Sequence, residues 1–268
     1  METTASGPTP ATLPLLLEHD GAIATLRFNR HDALNAIDVP MANAFLAAVQ
    51  ALAADPGVRA VVLAGNGRGF MAGGDLATLR AAPVQGAIDI LTPLNQALLL
   101  LTQMNAPVIV QAQGVAAGAG LSLLLMADYV IAAEGMRFNL AYIHLGTSCD
   151  VGASWALPRL VGLRKALEIA LLSDAFTADD ALRLGLINRV VPAAELESST
   201  VALAQRLAAG PTLAYGAMKR LMRESMERTL PEQLAAEKDA FVQCAGTQDF
   251  RAGVEAFHQR QSASFVGR

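Results

Sequence analysis

The sequence predicts an α/β fold of parallel strand–helix crossovers closed by a helical C-terminal region, on three observations. Up to Trp155, apolar runs with strand character alternate with amphipathic stretches. Two glycine-rich turns, Phe70-Met71-Ala72-Gly73-Gly74-Asp75-Leu76 and Gly114-Val115-Ala116-Ala117-Gly118-Ala119-Gly120, each follow such a run, Ala60–Ala64 and Pro107–Val110, and each leads into a helix start. Beyond Trp155 the pattern turns to helical periodicity.

Taken in order, Leu15–Glu18 and Ala22–Phe28 flank His19-Asp20-Gly21, which reads as a hairpin around an Asp-Gly turn. Asp38 is a good N-cap, with Pro40 in the first turn, for a helix through Ala53. A strand over 58–64 follows, then an apolar-faced helix over 87–104 and a strand over 107–112. Helix 119–127 and strand 129–133 come after the second glycine turn. Leu163–Leu172, Ala178–Leu184, Ala194–Ala209, Leu213–Arg228, Pro231–Gly246 and Asp249–Arg260 all read as helices, with Thr177 an N-cap. The segment around Tyr142 and His144 reads as strand-like. The domain boundary falls near Pro192–Glu195, dividing a core of residues 15–193 from a helical oligomerisation region of 194–268. Met1–Pro14 has neither a basic region nor an apolar core, so it reads as a disordered tail and not a secretory signal.

At 268 residues the chain has ample length to bury a core. With 53% hydrophobic and 16% charged residues, neighbouring subunits are expected to cover part of its surface. A net charge of −4 without a basic cluster argues against nucleic acid or an anionic membrane as partner. No charged residue occurs between Asp89 and Asp128, but prolines, amides and glycines interrupt the stretch, which marks it as buried globular structure. Cys149 and Cys244 form no CxxC pair and have no histidine cluster, so neither a disulfide nor a metal is expected, and the cytoplasm is the natural compartment.

The chemistry lies in the two turns. Helix starts carry unsatisfied N–H groups, and glycine lets that backbone approach a ligand closely. Two such turns facing one another present two donors to an oxygen that becomes negative during a reaction. Six segments in order then resemble the crotonase, or enoyl-CoA hydratase/isomerase, superfamily from about Leu15 to the C-terminus. They are Asp32-Ala33-Leu34-Asn35-Ala36, Arg68–Leu76, the 114–120 turn with Ala127-Asp128, Trp155–Gly162, Leu184–Val191 and Phe250–Phe257. The resemblance implies a spiral of ββα units, a C-terminal helical trimerisation region giving a homotrimer or a dimer of trimers, and an acyl-CoA substrate with no separate cofactor. It places the two N–H donors at Gly74 and Ala119. It sets Ala72, Asp75, Leu76 and Ala77 along the acyl-CoA site, and Ala33 and Leu34 along the pantetheine arm. Arg260, near the C-terminus, is a candidate to pair with the CoA phosphates, although a solvated arginine is the commoner reading.

Hydratases of the family typically use two glutamates, and the matching positions here are Ser122 and Tyr142. An unperturbed tyrosine, with a pKa of about 10, is no base near neutral pH. One acid remains in the right segment, Asp150, in a Gly-x-x-x-Asp stretch ahead of Trp155–Arg159 that is similar to isomerases of phenylacetate breakdown. A double-bond shift needs one proton shuttle, which points to an enoyl-CoA isomerase with Asp150 as shuttle and Tyr142 as a wall of the pocket, with a hydrogen bond to donate as a further role. Burial beside Val151 and Trp155 is expected to make Asp150 a stronger base. A second reading makes Asp150 the N-cap of a helix over Gly152–Leu160. A hydratase with an unusual water-activating group and a non-catalytic acyl-CoA-binding homologue stay open. A Ser122–His144–Asp150 hydrolase lacks the GxSxG elbow, and Cys149 reads as a small buried cysteine.

Overall fold

The computed structural model describes residues 13–268. Of the expected tail Met1–Pro14, all but the last two residues lie outside the described residues. Leu13 and Pro14 are not loose: their carbonyls accept hydrogen bonds from the Asn29 side chain and backbone at 2.9 and 2.8 Å.

Strands β1 (Leu15–Asp20) and β2 (Ile23–Phe28) form an antiparallel hairpin. Asp20 pairs with Ile23, so the turn sits on Gly21-Ala22, a residue later than the Asp-Gly pattern places it. Gly21 adopts φ +57°, a left-handed conformation that costs glycine little. Helix α1 (Val39–Ala54) starts where Asp38 accepts a hydrogen bond from the Met41 N–H at 2.9 Å, a cap that stabilises a helix by about 1 kcal/mol. The chain continues through β3 (Ala60–Gly65), α2 (Leu76–Ala81) and α3 (Pro83–Gln103). Helix α3 begins four residues earlier than its hydrophobic pattern indicates, with Pro83 in the first turn, where a missing N–H does no harm.

Next come β4 (Val108–Ala112), β5 (Val115–Ala117), α4 (Ala119–Leu125), β6 (Tyr129–Ala133) and β7 (Arg137–Asn139). A 3-10 turn over Tyr142–Leu145 replaces the expected strand-like segment. It leads to α5 (Ala153–Val161), α6 (Leu163–Leu172), β8 (Phe176–Thr177), α7 (Ala178–Arg183) and β9 (Arg189–Val191). The last third is α8 (Leu196–Ala208), α9 (Thr212–Glu224), α10 (Leu230–Ala245) and α11 (Gln248–Gln259). Thr177 caps α7 in a reciprocal capping box with Asp180, as its sequence indicates.

Among the described residues a six-stranded sheet runs β1-β2-β3-β4-β6-β9, parallel throughout except for β1. A smaller sheet runs β5-β7-β8, and the isolated bridge Met71–Ala116 extends it back towards the first glycine turn. Successive turns of the chain therefore place one strand in the large sheet and one extended segment in the small sheet, then a helix. That repeat is the ββα spiral. Leu26, Leu63, Val110 and Val130 stand in register across four strands and are all buried. The Phe28 ring lies 5.4 Å from Phe45 and 5.9 Å from Phe70, beneath the first glycine turn. Each fully buried aromatic contributes about 1.5–3 kcal/mol. On the opposite face, Ala204 and Ala208 of α8 cover Ile23, Ala60, Val62 and Ile109.

Helix α3 is the one helix among the described residues long and apolar enough to cross a membrane. Its Ile90, Leu94, Ala97 and Leu101 are buried in the core.

Candidate active site

The two glycine turns do meet. Phe70 and Met71 N–H groups donate to Val115 O at 3.1 Å, and Ala117 N–H donates to Met71 O at 2.9 Å. A Cβ built on Gly73, which holds φ +102°, would lie 3.2 Å from Ala117 O and 3.7 Å from the Ala119 nitrogen, so the backbones touch where side chains would separate them. Ile37 fastens the first turn from its other side, donating to Gly73 O and accepting from Asp75 N–H, both at 2.8 Å. Among the described residues, neither the Gly74 nor the Ala119 N–H donates to a backbone carbonyl in these turns. Ala119 opens α4, where the sequence places that helix start, so its N–H is one of the unsatisfied donors of a helix terminus.

Asn35 is a functional support that the motif Asp32–Ala36 contains but does not explain. It is fully buried, and its side-chain N–H₂ donates to Asn66 O, Gly69 O and Phe70 O while Oδ1 accepts from Arg30 N–H. It pins the loop into the first turn. A lone amide among apolar neighbours is the signal that marks it. The left-handed Leu34 beside it accepts from Ala72 N–H through its carbonyl, placing Ala33 and Leu34 against the turn.

Asp75 also fastens the first turn. Its carboxylate caps α2 through Thr78 N–H at 3.0 Å and pairs with the Arg30 guanidinium at 2.9 Å. The Thr78 bond, the largest influence, holds its carboxyl below the usual carboxylate range; burial opposes it, and Arg30 adds to the lowering. Leu76 and Ala77 follow with exposed side chains. Arg260 caps the end of α11 in a left-handed conformation with an exposed side chain, and no contact joins it to the glycine turns among the described residues.

The third part of the site is a chain of hydrogen bonds. The Tyr142 hydroxyl donates to Asp150 Oδ1 through a short bond. Ser122 Oγ lies 2.9 Å from the same hydroxyl oxygen and 3.2 Å from Gly118 O. Ser122 is fully buried on α4 and Tyr142 nearly so. The chain thus runs from Asp150 to Gly118, the residue just before the Ala119 N–H. Burial pushes the Asp150 carboxyl above its ordinary value, partly offset by the Tyr142 bond. Burial and the adjacent carboxylate push the Tyr142 phenol well up, so it stays a neutral donor.

Asp150 does not cap α5. Helix α5 starts at Ala153 with Gly152 as its N-cap and no side-chain cap, and Asp150 contributes only its backbone carbonyl to Ala153 N–H. Between them Val151 holds φ +48°, which a β-branched residue adopts at a cost of about 1–3 kcal/mol. His144 is exposed on the 3-10 turn and Ser122 pairs with Tyr142 instead, so no Ser–His dyad forms. Cys149 and Cys244 are unpaired and half-buried, and the described residues contain no cluster of three or more metal-ligating side chains.

The sequence profile described as enoyl-CoA hydratase/isomerase matches residues 18–268. A 1,2-epoxyphenylacetyl-CoA isomerase from Escherichia coli K12 is 34% identical over 96% of this chain and its own full length. A crotonyl-CoA hydratase from Syntrophomonas wolfei is 31% identical over 95% of this chain and 98% of its own. Among solved structures, an enoyl-CoA hydratase from Mycobacterium smegmatis superposes with a TM-score of 0.88 at 32% identity, covering 94% of this chain and 98% of its own. A spiral with two abutting glycine turns, matched over nearly all its length by these proteins, leaves one assignment: the chain belongs to the enoyl-CoA hydratase/isomerase family of the crotonase superfamily.

Proposed function

We propose that the protein is an enoyl-CoA isomerase that moves a double bond along an acyl-CoA thioester. The observation that carries this reading is the chain from Asp150 through Tyr142 and Ser122 to Gly118, which ties one buried carboxylate to the second glycine turn. Asp150 takes a proton from the carbon next to the thioester carbonyl. The C–H electron pair moves into a dienolate, whose oxygen sits between the Gly74 and Ala119 N–H groups. Asp150 then returns the same proton at the γ carbon, so no water is added and no cofactor beyond the substrate's own coenzyme A is required. The upward shift of Asp150 makes it a better match for this proton than an exposed aspartate. Ala72, Leu76 and Ala77 line the thioester approach, with Ala33 and Leu34 along the pantetheine arm. Asp75 holds the first donor turn in place through α2, and Arg260 meets the CoA phosphates once subunits assemble.

The protein acts in the cytoplasm as a homotrimer or a dimer of trimers. Exposed apolar side chains on the C-terminal helices support the assembly: Met222, Leu230, Phe241, Val242 and Phe257 are each more than 60% exposed in the single chain.

The test uses purified protein with a 3-enoyl-CoA and, separately, a 2-enoyl-CoA in deuterated water, with products read by mass spectrometry. The expected result is double-bond migration that falls at least 100-fold in Asp150→Ala, the scale of a lost general acid–base. A 3-hydroxyacyl-CoA product would instead make the protein a hydratase, like the named S. wolfei relative. Tight acyl-CoA binding with no product would make it a binding homologue.

A further inference from the structure

We propose that Tyr142 is a positioning residue for the proton carrier: its hydroxyl, held from behind by Ser122, occupies Oδ1 of Asp150 and reserves Oδ2 for proton exchange with substrate. This assignment rests on the reading of Asp150 as the carrier, and it gives Tyr142 a task that a pocket wall does not have.

Counting hydrogens supports it. The phenol has one proton, and it points at Asp150 Oδ1. Ser122 has one proton, shared between the Tyr142 oxygen at 2.9 Å and Gly118 O at 3.2 Å. Every member is therefore satisfied while Asp150 is ionised, and no hydrogen bond to Oδ2 is found among the described residues. When Oδ2 takes the substrate proton, Oδ1 becomes a carbonyl oxygen and still accepts from Tyr142. Both stages of the double-bond shift keep one geometry. The proton leaves carbon for Oδ2, the electron pair stays on the dienolate, and the proton goes back to carbon, so nothing else is consumed.

The surroundings leave Tyr142 as the polar group that opposes the rise burial imposes on Asp150. From α4 Ser122 bonds the pair, and from the 3-10 turn Tyr142 is itself a member. His144, two residues along, is exposed, and Cys149 precedes Asp150 on the same loop. Among the described residues no lysine or arginine acts on either group. A donor to an ionised carboxylate favours the ionised form. Removing the phenol hydroxyl therefore leaves burial unopposed and moves Asp150 further up.

The experiment compares wild type, Tyr142→Phe, Ser122→Ala and Asp150→Asn. Asp150 is titrated in the substrate-free protein by 13C NMR of aspartate labelled at Cγ, its resonance identified by its loss in Asp150→Asn. The expected result is an upward shift of about one pH unit in Tyr142→Phe and a smaller shift in the same direction in Ser122→Ala. In parallel, the acidic limb of kcat for 3-enoyl-CoA isomerisation moves to higher pH in Tyr142→Phe, the plateau falls about 10-fold, and KM stays within about two-fold. An Asp150 titration or acidic limb that stays where the wild type has it would overturn the proposal and leave Tyr142 a pocket wall. Retained isomerisation in Asp150→Asn would overturn the parent reading instead, and the NMR titration tests Tyr142 without any turnover.

Discussion

At the residue scale, one backbone N–H can be deleted with little other change. Ala119 is the first residue of α4, the position at which proline is best tolerated because its missing N–H has no helical partner. Ala119→Pro therefore removes one of the two proposed oxyanion donors and keeps the helix start. The expected outcome is a kcat about 100-fold lower, the scale of one lost donor, with Tm within a few degrees of wild type. A variant of normal activity would place the thioester oxygen elsewhere. The same scale shows what sequence alone conceals. Asp150 was legible because it is the lone acid in its segment, but its bond to Tyr142 was not. Their pairing depends on the 3-10 turn and the left-handed Gly146, which turn the chain between them, with left-handed Ala141 and Val151 on either side of the pair. Asp75 was legible as a neighbour of the donor turn, while its pairing with Arg30, 45 residues earlier, depends on tertiary structure.

At the element scale, the long elements follow their patterns. Helix α6 spans Leu163–Leu172 as read from periodicity, and α1 begins at its Asp38 cap. The short strands escape. Strands β5, β7 and β9 have three residues each and β8 has two, too few for a period of two to register. What makes them strands is pairing with partners distant in sequence, as when β9 closes the edge of the large sheet against β6. Glycines carry the contact between the turns. A Cβ on Gly120 would press into the Met71 carbonyl, a backbone atom that cannot swing aside. Gly120→Ala is expected to destabilise the fold by about 1–3 kcal/mol, in the range of overpacked sites, read as a lower urea midpoint at unchanged slope. A midpoint equal to wild type would show that the two turns are free to separate.

At the scale of the whole molecule, the C-terminal helices are both a lid on the core and an unfinished surface. Arg59 donates to Gly210 O at 2.7 Å and Phe265 O at 3.0 Å, and buried Asp249 accepts from the Val266 and Gly267 N–H groups at 2.7 and 2.9 Å. The tail is thereby strapped to the body. Phe257, on the last helix, is 82% exposed, one of several large apolar side chains that the C-terminal helices of the single chain leave in water. Sedimentation is expected to give a mass near three or six times 28.0 kDa, and Phe257→Glu to shift it towards the single chain. A monomeric wild type would overturn the assembly. The spiral also has a consequence in time. Because each turn of the chain stacks on the one made before it, the parts of the site leave the ribosome in working order: Gly74, then Ala119, then Asp150. At about 5–20 residues per second, the wait from the first donor to the proton carrier is roughly 4–15 s. Through that interval the nascent chain has the first proposed oxyanion donor and not yet the aspartate proposed to move the proton.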